Sequence, residues 1–183
     1  MKIISGRFKS RILCMPKDIR PTSDKVRGAV FEILKDRMEG ARFLDLYCGS
    51  GAIGVEAFSR GASKVSFVDN DFKCIKALKK NLASLDILDL SSIDIYKKNV
   101  LKALREFETK SMSFDVIFLD PPYYKDIAKN TLIGLTECDI LARNAIIVAE
   151  AYKKEALPDE IGLLRKIRTR KYGDTKLEFY CKL

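Results

Sequence analysis

From residue 40 onward, short apolar runs alternate with longer stretches in which apolar residues recur every three or four positions. The runs at 43–46, 65–68, 93–96, 116–119 and 145–149 predict strands, and the stretches 52–60, 72–84, 99–107 and 126–136 predict helices. Strands in this alternation pair in parallel through right-handed crossovers, with helices on both faces. The end of the chain breaks the pattern: the runs 164–172 and 176–183 flank Gly173-Asp174 and predict an antiparallel hairpin. The expected fold class is α/β, a doubly wound, mostly parallel, seven-stranded sheet that finishes in that hairpin.

Before residue 40 the pattern is different. Apolar-bearing runs at 2–5 and 11–14, separated by Gly6 and a basic stretch, suit a small hairpin. Arg20-Pro21 marks an extended segment or turn, because proline disfavours helix in the residue before it. Thr22 or Ser23 could cap a helix running from Asp24 to about Met38, with Val26, Val30, Phe31, Ile33 and Leu34 on one stripe and Gly40 past its end. At 183 residues the chain has room for one domain: a basic extension over 1–40 and an α/β core over 41–183.

Composition narrows the chemistry. The chain contains no histidine, which excludes the serine–histidine–acid triad, the Cys-His dyad and every mechanism with an imidazole base. The five cysteines, Cys14, Cys48, Cys74, Cys138 and Cys181, form no CxxC pair, so reduced and mostly buried thiols are expected, and no metal site. Apolar runs stop far short of the roughly 18 residues that span a bilayer. Lys2, Arg7, Lys9 and Arg11 interrupt the start where a signal peptide would be apolar, so a cytoplasmic protein is expected. The net charge of +9 is concentrated at the ends: 11 basic and 5 acidic residues over 1–42, and 9 and 5 over 153–183. A localised basic surface nominates a polyanion such as nucleic acid without deciding it.

Two strand ends carry candidate chemistry. The first strand runs into Asp45-Leu46-Tyr47-Cys48-Gly49-Ser50-Gly51, after which a helix begins; glycines there permit a sharp turn and close approach of a ligand to the helix N-terminus. Asp69 ends the second strand, where a carboxylate can accept hydrogen bonds from ribose hydroxyls, so a ligand containing adenosine is expected. By spacing alone Gly49-x-Gly51-x-x-Gly54 suits a dinucleotide dehydrogenase equally well. The fourth strand ends in Asp120-Pro121-Pro122-Tyr123. Two prolines stiffen that loop and remove two N–H donors, leaving carbonyl oxygens and a carboxylate beside an aromatic ring. Such a site suits a flat ligand bearing an amine, whose hydrogens the acceptors would hold while the lone pair is aimed at an electrophile.

Asp45-x-x-x-Gly49-x-Gly51 with Asp120-Pro121-Pro122-Tyr123 resembles the S-adenosylmethionine-dependent amino-methyltransferases, whose (D/N/S)PP(Y/F) tetrapeptide binds the amine that is methylated. Ile3-Ile4-Ser5-Gly6, Arg11-x-Leu13, Arg20-Pro21-Thr22-x-Asp24-x-Val26-Arg27 and Phe31 are similar to the RsmD-type family, which methylates the exocyclic N2 of a guanine in 16S ribosomal RNA of the small subunit. The resemblance runs from Ile3 to about Glu150 and implies a Rossmann-like methyltransferase fold. It implies S-adenosyl-L-methionine as cofactor, with Asp45, Gly49 and Gly51 along its methionine part, flanked by Tyr47, Cys48 and Ser50. Asp69, with Asn70 beside it, would hold the ribose, and Asn99 or Val100 the adenine. Asp120, Pro121, Pro122 and Tyr123 would hold the guanine, while Arg20, Thr22, Asp24 and Arg27 would close over the site or meet RNA phosphate. Family members often have Phe-Ala-Gly where this chain has Tyr47-Cys48-Gly49. The implied partner is the small ribosomal subunit and the implied form a monomer. A DNA adenine or cytosine amino-methyltransferase and a noncatalytic RNA-binding assembly factor are the alternatives.

Overall fold

Each predicted strand and helix from residue 40 onward is present, and the differences lie at its bounds. The computed structural model describes residues 1–16, 23–87, 90–122 and 126–183. Five strands, β1 (Arg42–Leu46), β2 (Lys64–Asp69), β3 (Ile93–Lys97), β4 (Phe114–Leu119) and β5 (Leu141–Tyr152), lie parallel in one sheet. Helices α1 (Asp24–Leu34), α2 (Ala52–Ser59), α3 (Phe72–Ser84), α4 (Val100–Thr109) and α5 (Ile127–Glu137) cover it. After β5 come β6 (Glu160–Ile161), β7 (Leu164–Tyr172) and β8 (Thr175–Lys182), all antiparallel, giving the order β3-β2-β1-β4-β5-β8-β7-β6.

The sheet therefore has eight strands among the described residues, not seven. The extra one, β6, is two residues long and too short to carry a period-2 signature. β5 begins four residues earlier than its apolar run, because Arg143 and Asn144 are exposed and the pairing with β4 is irregular between Phe114 and Val116. The chain winds outward from β1 through β2 to β3 and then crosses to β4 on the other side of β1. That reversal is the topological switch point, where ligands of open α/β sheets bind.

Two apolar layers hold the sheet between them. On one face Val30, Phe31, Phe43, Val55, Phe67, Leu78, Phe118 and Phe179 form a cluster shared by α1, α2 and α3. On the other, Leu44, Leu104, Phe107, Ile117, Leu132 and Tyr180 join α4 and α5. α4 shows the reason for its helicity plainly: Val100, Ala103, Leu104 and Phe107 are buried at helical spacing, and Asn99 caps it by accepting a hydrogen bond from Lys102 N–H.

The N-terminal hairpin is reduced to one bridge, Lys2 with Ile12. One anchor of this segment is α2, all eight residues of which are buried. Backbone N–H groups of Ile4 and Ser5 donate to the Glu56 carboxylate at 2.8 and 3.0 Å, and Arg7 N–H donates to the Ser59 carbonyl at 2.8 Å. Gly6, at φ +83°, allows this approach: a Cβ there would lie 1.7 Å from the Ser59 carbonyl oxygen. The helix expected to reach Met38 ends at Leu34 and tightens into a 3₁₀ turn over Lys35–Arg37.

Candidate active site

β1 and β4 are direct neighbours, with Leu46 opposite Leu119, so the glycine turn and the Asp-Pro-Pro segment leave the sheet side by side. They open on a cavity of about 580 Å³ lined by both segments, by Asp69, Asn70, Asp71 and Cys74 after β2, and by Glu150, Tyr172 and Thr175 from the later strands. Asp45, Asp69, Asp71, Asp120 and Glu150 all face it, and no lysine or arginine does among the described residues. In a chain of net charge +9, the cavity is an acidic interior.

The turn is held open by its own side chains and glycines. Asp45, 1% exposed, accepts a hydrogen bond from Gly54 N–H at 2.8 Å and so ties the end of β1 to the first turn of α2. Burial pushes its carboxyl up to about 8, with Asp120 and Asp69 adding to the rise and the Gly54 bond opposing it. Asp69 accepts from Gly49 N–H and from Asp71 N–H, both at 2.9 Å. It does not cap α3; Asp71 does, through Lys73 N–H at 2.7 Å. Gly51 sits at φ +82°, and a Cβ there would meet Leu78 Cδ1 at 2.3 Å. Tyr47, also at positive φ, is anchored through its hydroxyl to Thr131 Oγ1 at 2.7 Å.

Of the residues singled out from the sequence, Asp45, Tyr47, Cys48, Gly49, Ser50, Asp69, Asn70, Asp120, Pro121 and Pro122 line the cavity. Gly51 shapes the turn from behind. Asn99 and Val100 are outside the lining, although Lys98 N–H donates to the Asp69 carbonyl at 3.0 Å and brings the loop after β3 alongside. Val100 is buried in the core beneath α4. Arg20, Thr22 and Tyr123 lie outside the described residues, and Ser23 is the α1 cap, accepting from Val26 N–H at 3.2 Å.

Arg27 differs most from its expected role. Its side chain is wholly buried, 3.8 Å from Glu56, and hydrogen-bonded to Asp24 at 3.0 Å and to the Lys2 carbonyl. Burial lowers its pKa, against the raising influence of Glu56 and Asp24. It has no surface with which to meet RNA; it joins α1, α2 and the N-terminal segment. Asp24 is engaged with Arg27 and is not in the lining.

Sequence reasoning missed Asn81. Its buried amide accepts from Cys14 N–H at 2.7 Å and donates to the carbonyls of Cys14 and Ser50 at 3.0 and 2.9 Å, stitching the N-terminal segment to the glycine turn. An asparagine at a core position of a helix is the signal that was available, since a buried amide requires partners. Met15, Tyr172 and Thr175, also in the lining, come from segments without a motif. Three of the cysteines are buried, and burial pushes Cys74 up to about 12, which leaves that thiol protonated and inert. No helix among the described residues is long and apolar enough to cross a membrane.

The family model described as conserved hypothetical protein 95 matches residues 1–181. The Bacillus subtilis protein YlbH, named as a candidate rRNA methyltransferase, is 37% identical over 100% of this chain and 99% of its own. Ribosomal RNA small subunit methyltransferase D of Haemophilus influenzae is 33% identical, covering 92% of this chain and 89% of that one. The chain belongs to the RsmD-type family of S-adenosylmethionine-dependent methyltransferases. Among solved structures of this family's fold, the Escherichia coli protein yhhF, described as a candidate methyltransferase, superimposes with a TM-score of 0.86 at 28% identity, over 100% of this chain and 97% of that one. The Rossmann-like methyltransferase fold expected from the sequence is the fold observed.

Proposed function

We propose that this RsmD-type protein transfers a methyl group from S-adenosylmethionine to the exocyclic N2 amine of a guanine in 16S ribosomal RNA, acting in the cytoplasm on the small subunit as a single chain. The observation that carries the reading is the pairing of an acidic, glycine-lined cavity at the β1–β4 switch point with the Asp120-Pro121-Pro122 end of β4.

The cavity suits this cofactor on its own terms. Its volume falls within the roughly 300–1,000 Å³ of small-molecule sites. Its five acidic side chains suit a ligand that carries an ammonium and a sulfonium, and they oppose the pyrophosphate of a dinucleotide, which finds no cation in the lining among the described residues. The dehydrogenase reading of the glycine turn is disfavoured for that reason. Asp45 and the N–H groups of the turn would hold the methionine part, and Asp69, fixed by Gly49, would accept from the ribose.

When bound, S-adenosylmethionine supplies an electrophilic methyl group on a positively charged sulfur. The chain's part is to bring a weakly nucleophilic aryl amine into line with it. Asp120 and the adjoining carbonyl acceptors would take the amine hydrogens, drawing the N2 lone pair out of conjugation with the ring. Pro121, which is buried, and Pro122 have no N–H, so these two residues can offer the amine only carbonyl acceptors. Tyr123, two residues on, would stack on the base. Once N2 carries the methyl group it must shed a proton, for which the Asp120 carboxylate is the acceptor at hand. These contributions are orientation and electrostatics, which need no imidazole.

The test is methyl transfer from labelled S-adenosylmethionine to unmodified 30S subunits, free 16S RNA and duplex DNA in parallel, followed by nucleoside mass analysis. N2-methylguanosine from a ribosomal substrate is the expected product. Label confined to DNA, or a methylated base other than guanine, would overturn the assignment.

A further inference from the structure

β7 is a strand with an open edge. Its outer neighbour, β6, pairs with Leu164 and Arg165, and Lys166 N–H donates to the Asp159 carbonyl at 2.7 Å, so the backbone from Ile167 to Tyr172 has β8 on one side and, among the described residues, no strand on the other. This stretch reads Ile-Arg-Thr-Arg-Lys-Tyr, and residues 167–171 are all exposed. Most other basic side chains of the hairpin have partners: Arg165 pairs with Glu160, Lys166 with Asp159 and Glu178, and Lys176 with Glu178, while Lys182 Nζ donates to the Leu141 carbonyl. Arg168, Arg170 and Lys171 have no ion pair among the described residues.

The register gives two of these charges a direction. Arg168 lies opposite Phe179, Arg170 opposite Leu177 and Tyr172 opposite Thr175. Phe179 and Leu177 belong to the apolar layer shared with α1 and α2, and Tyr172 and Thr175 line the cavity. Residues directly opposite on antiparallel strands share a face. Arg168 and Arg170 thus stand in one row on the cavity's side of the sheet, about 13 and 7 Å along the strand from Tyr172 at a rise of about 3.3 Å per residue.

We propose that Arg168 and Arg170 form a phosphate track that leads an RNA strand along the open edge of β7 to the cavity mouth at Tyr172. The inference rests on the proposed RNA substrate and adds to it a surface that lies apart from the N-terminal extension. The occupant is argued from charge: unpaired guanidiniums in a row beside an acidic cavity suit a polyanion whose backbone stays outside while one neutral base enters.

The experiment compares wild type, Arg168→Ala/Arg170→Ala, Arg168→Lys/Arg170→Lys and, as a charge-matched control on the opposite layer, Lys102→Ala/Arg105→Ala. Steady-state methyl transfer to 30S subunits and 16S RNA is measured between 50 and 200 mM salt, with S-adenosylhomocysteine binding and thermal melting alongside. The alanine pair is expected to raise KM for RNA about tenfold or more and leave kcat and cofactor binding unchanged. It should also reduce the slope of log affinity against log salt by about 0.7 per lost contact, the single-strand value. The lysine pair should recover most of the affinity, and the α4 control should match wild type. An unchanged KM and salt slope in the alanine pair, or an equal loss in the control, would overturn the track. So would self-association as its only consequence, which would identify the charges as edge protection. Absence of RNA methylation by the wild type would instead sink the proposed substrate, so the two failures are separate.

Discussion

Replacing Asp45 by asparagine tests whether the acidic cavity is built for a cation. The carboxyl is buried beside Asp120 and Asp69 and pushed up to about 8, so in the free protein at pH 7 it is mostly protonated. If a bound ammonium or sulfonium requires the carboxylate, binding must release that proton. The ionised fraction of a group with a pKa of about 8 rises from about 1% at pH 6 to about 50% at pH 8, so affinity relative to Asp45→Asn should rise about fiftyfold over that interval. The α-amino group of S-adenosylmethionine itself titrates near 7.7–8.0 on model values, but it does so equally with either protein. Calorimetric titration in buffers of different ionisation enthalpy should show wild type releasing nearly one more proton at pH 7 than Asp45→Asn, whose affinity should be lower at pH 8. The stability of the free protein obeys the opposite sign. With its folded pKa raised, Asp45 contributes fully below about pH 4, and that contribution is lost as pH rises through about 8, at up to about 1.4 kcal/mol per unit. Urea denaturation should therefore show the asparagine variant gaining on wild type from pH 6 to pH 9. Identical pH slopes in binding and in stability for the two proteins would refute the reasoning.

The other substitutions probe what holds the site in place. Arg27→Ala removes a buried partner of Glu56 and should cost about 3 kcal/mol, read as a lower melting temperature, while RNA KM per folded molecule stays unchanged; a raised KM at full stability would restore the RNA-contacting role. In Gly6→Ala the new Cβ meets the Ser59 carbonyl oxygen and the positive φ alone costs about 1–2 kcal/mol, so the amides of Ile4, Ser5 and Arg7 should lose protection in hydrogen exchange; retained protection would show that the clash is absorbed elsewhere. Asn81→Ala severs three hydrogen bonds and takes a partner from the buried Ser50 carbonyl and from the N–H and carbonyl of Cys14, a loss of about 2–4 kcal/mol with weaker S-adenosylmethionine binding, both measurable in one ligand-dependent melting series.

The parts of the molecule legible in the sequence are those governed by local pattern. The parallel strands and the α3 and α4 helices appear because apolar spacing records which face is buried. The glycine turn and the Asp120 loop appear because their chemistry sits on consecutive residues. What was not legible depends on partners far along the chain. Arg27 reads as a surface arginine at the start of an amphipathic helix, and only the packing of α1 against α2 brings it to Glu56, 29 positions away. Tyr172 and Thr175 reach the cavity because β8 pairs with β5, placing Thr175 opposite Tyr152, a long-range register that no local period encodes. β6 is two residues whose strand character comes wholly from β7. Asn99 illustrates a third case: helix capping and ligand binding favour the same residue type at a strand-to-helix junction, and the structure shows the capping bond to Lys102.

The distribution of charge links the two proposed ligands. A cavity with five acidic side chains attracts a cationic cofactor and repels a phosphate, so an RNA strand would not follow its target base inward. The phosphates must remain outside it, where the proposed track of Arg168 and Arg170 on β7 would meet them. Only the neutral base can pass, and it can do so only if it leaves its stack and its pairing partner, at a cost of a few kcal/mol that is smallest for a base already unpaired. Selection for an accessible guanine would then arise partly from electrostatic exclusion of its own backbone. The same acids that hold the methyl donor would help decide which nucleotides can be presented to it.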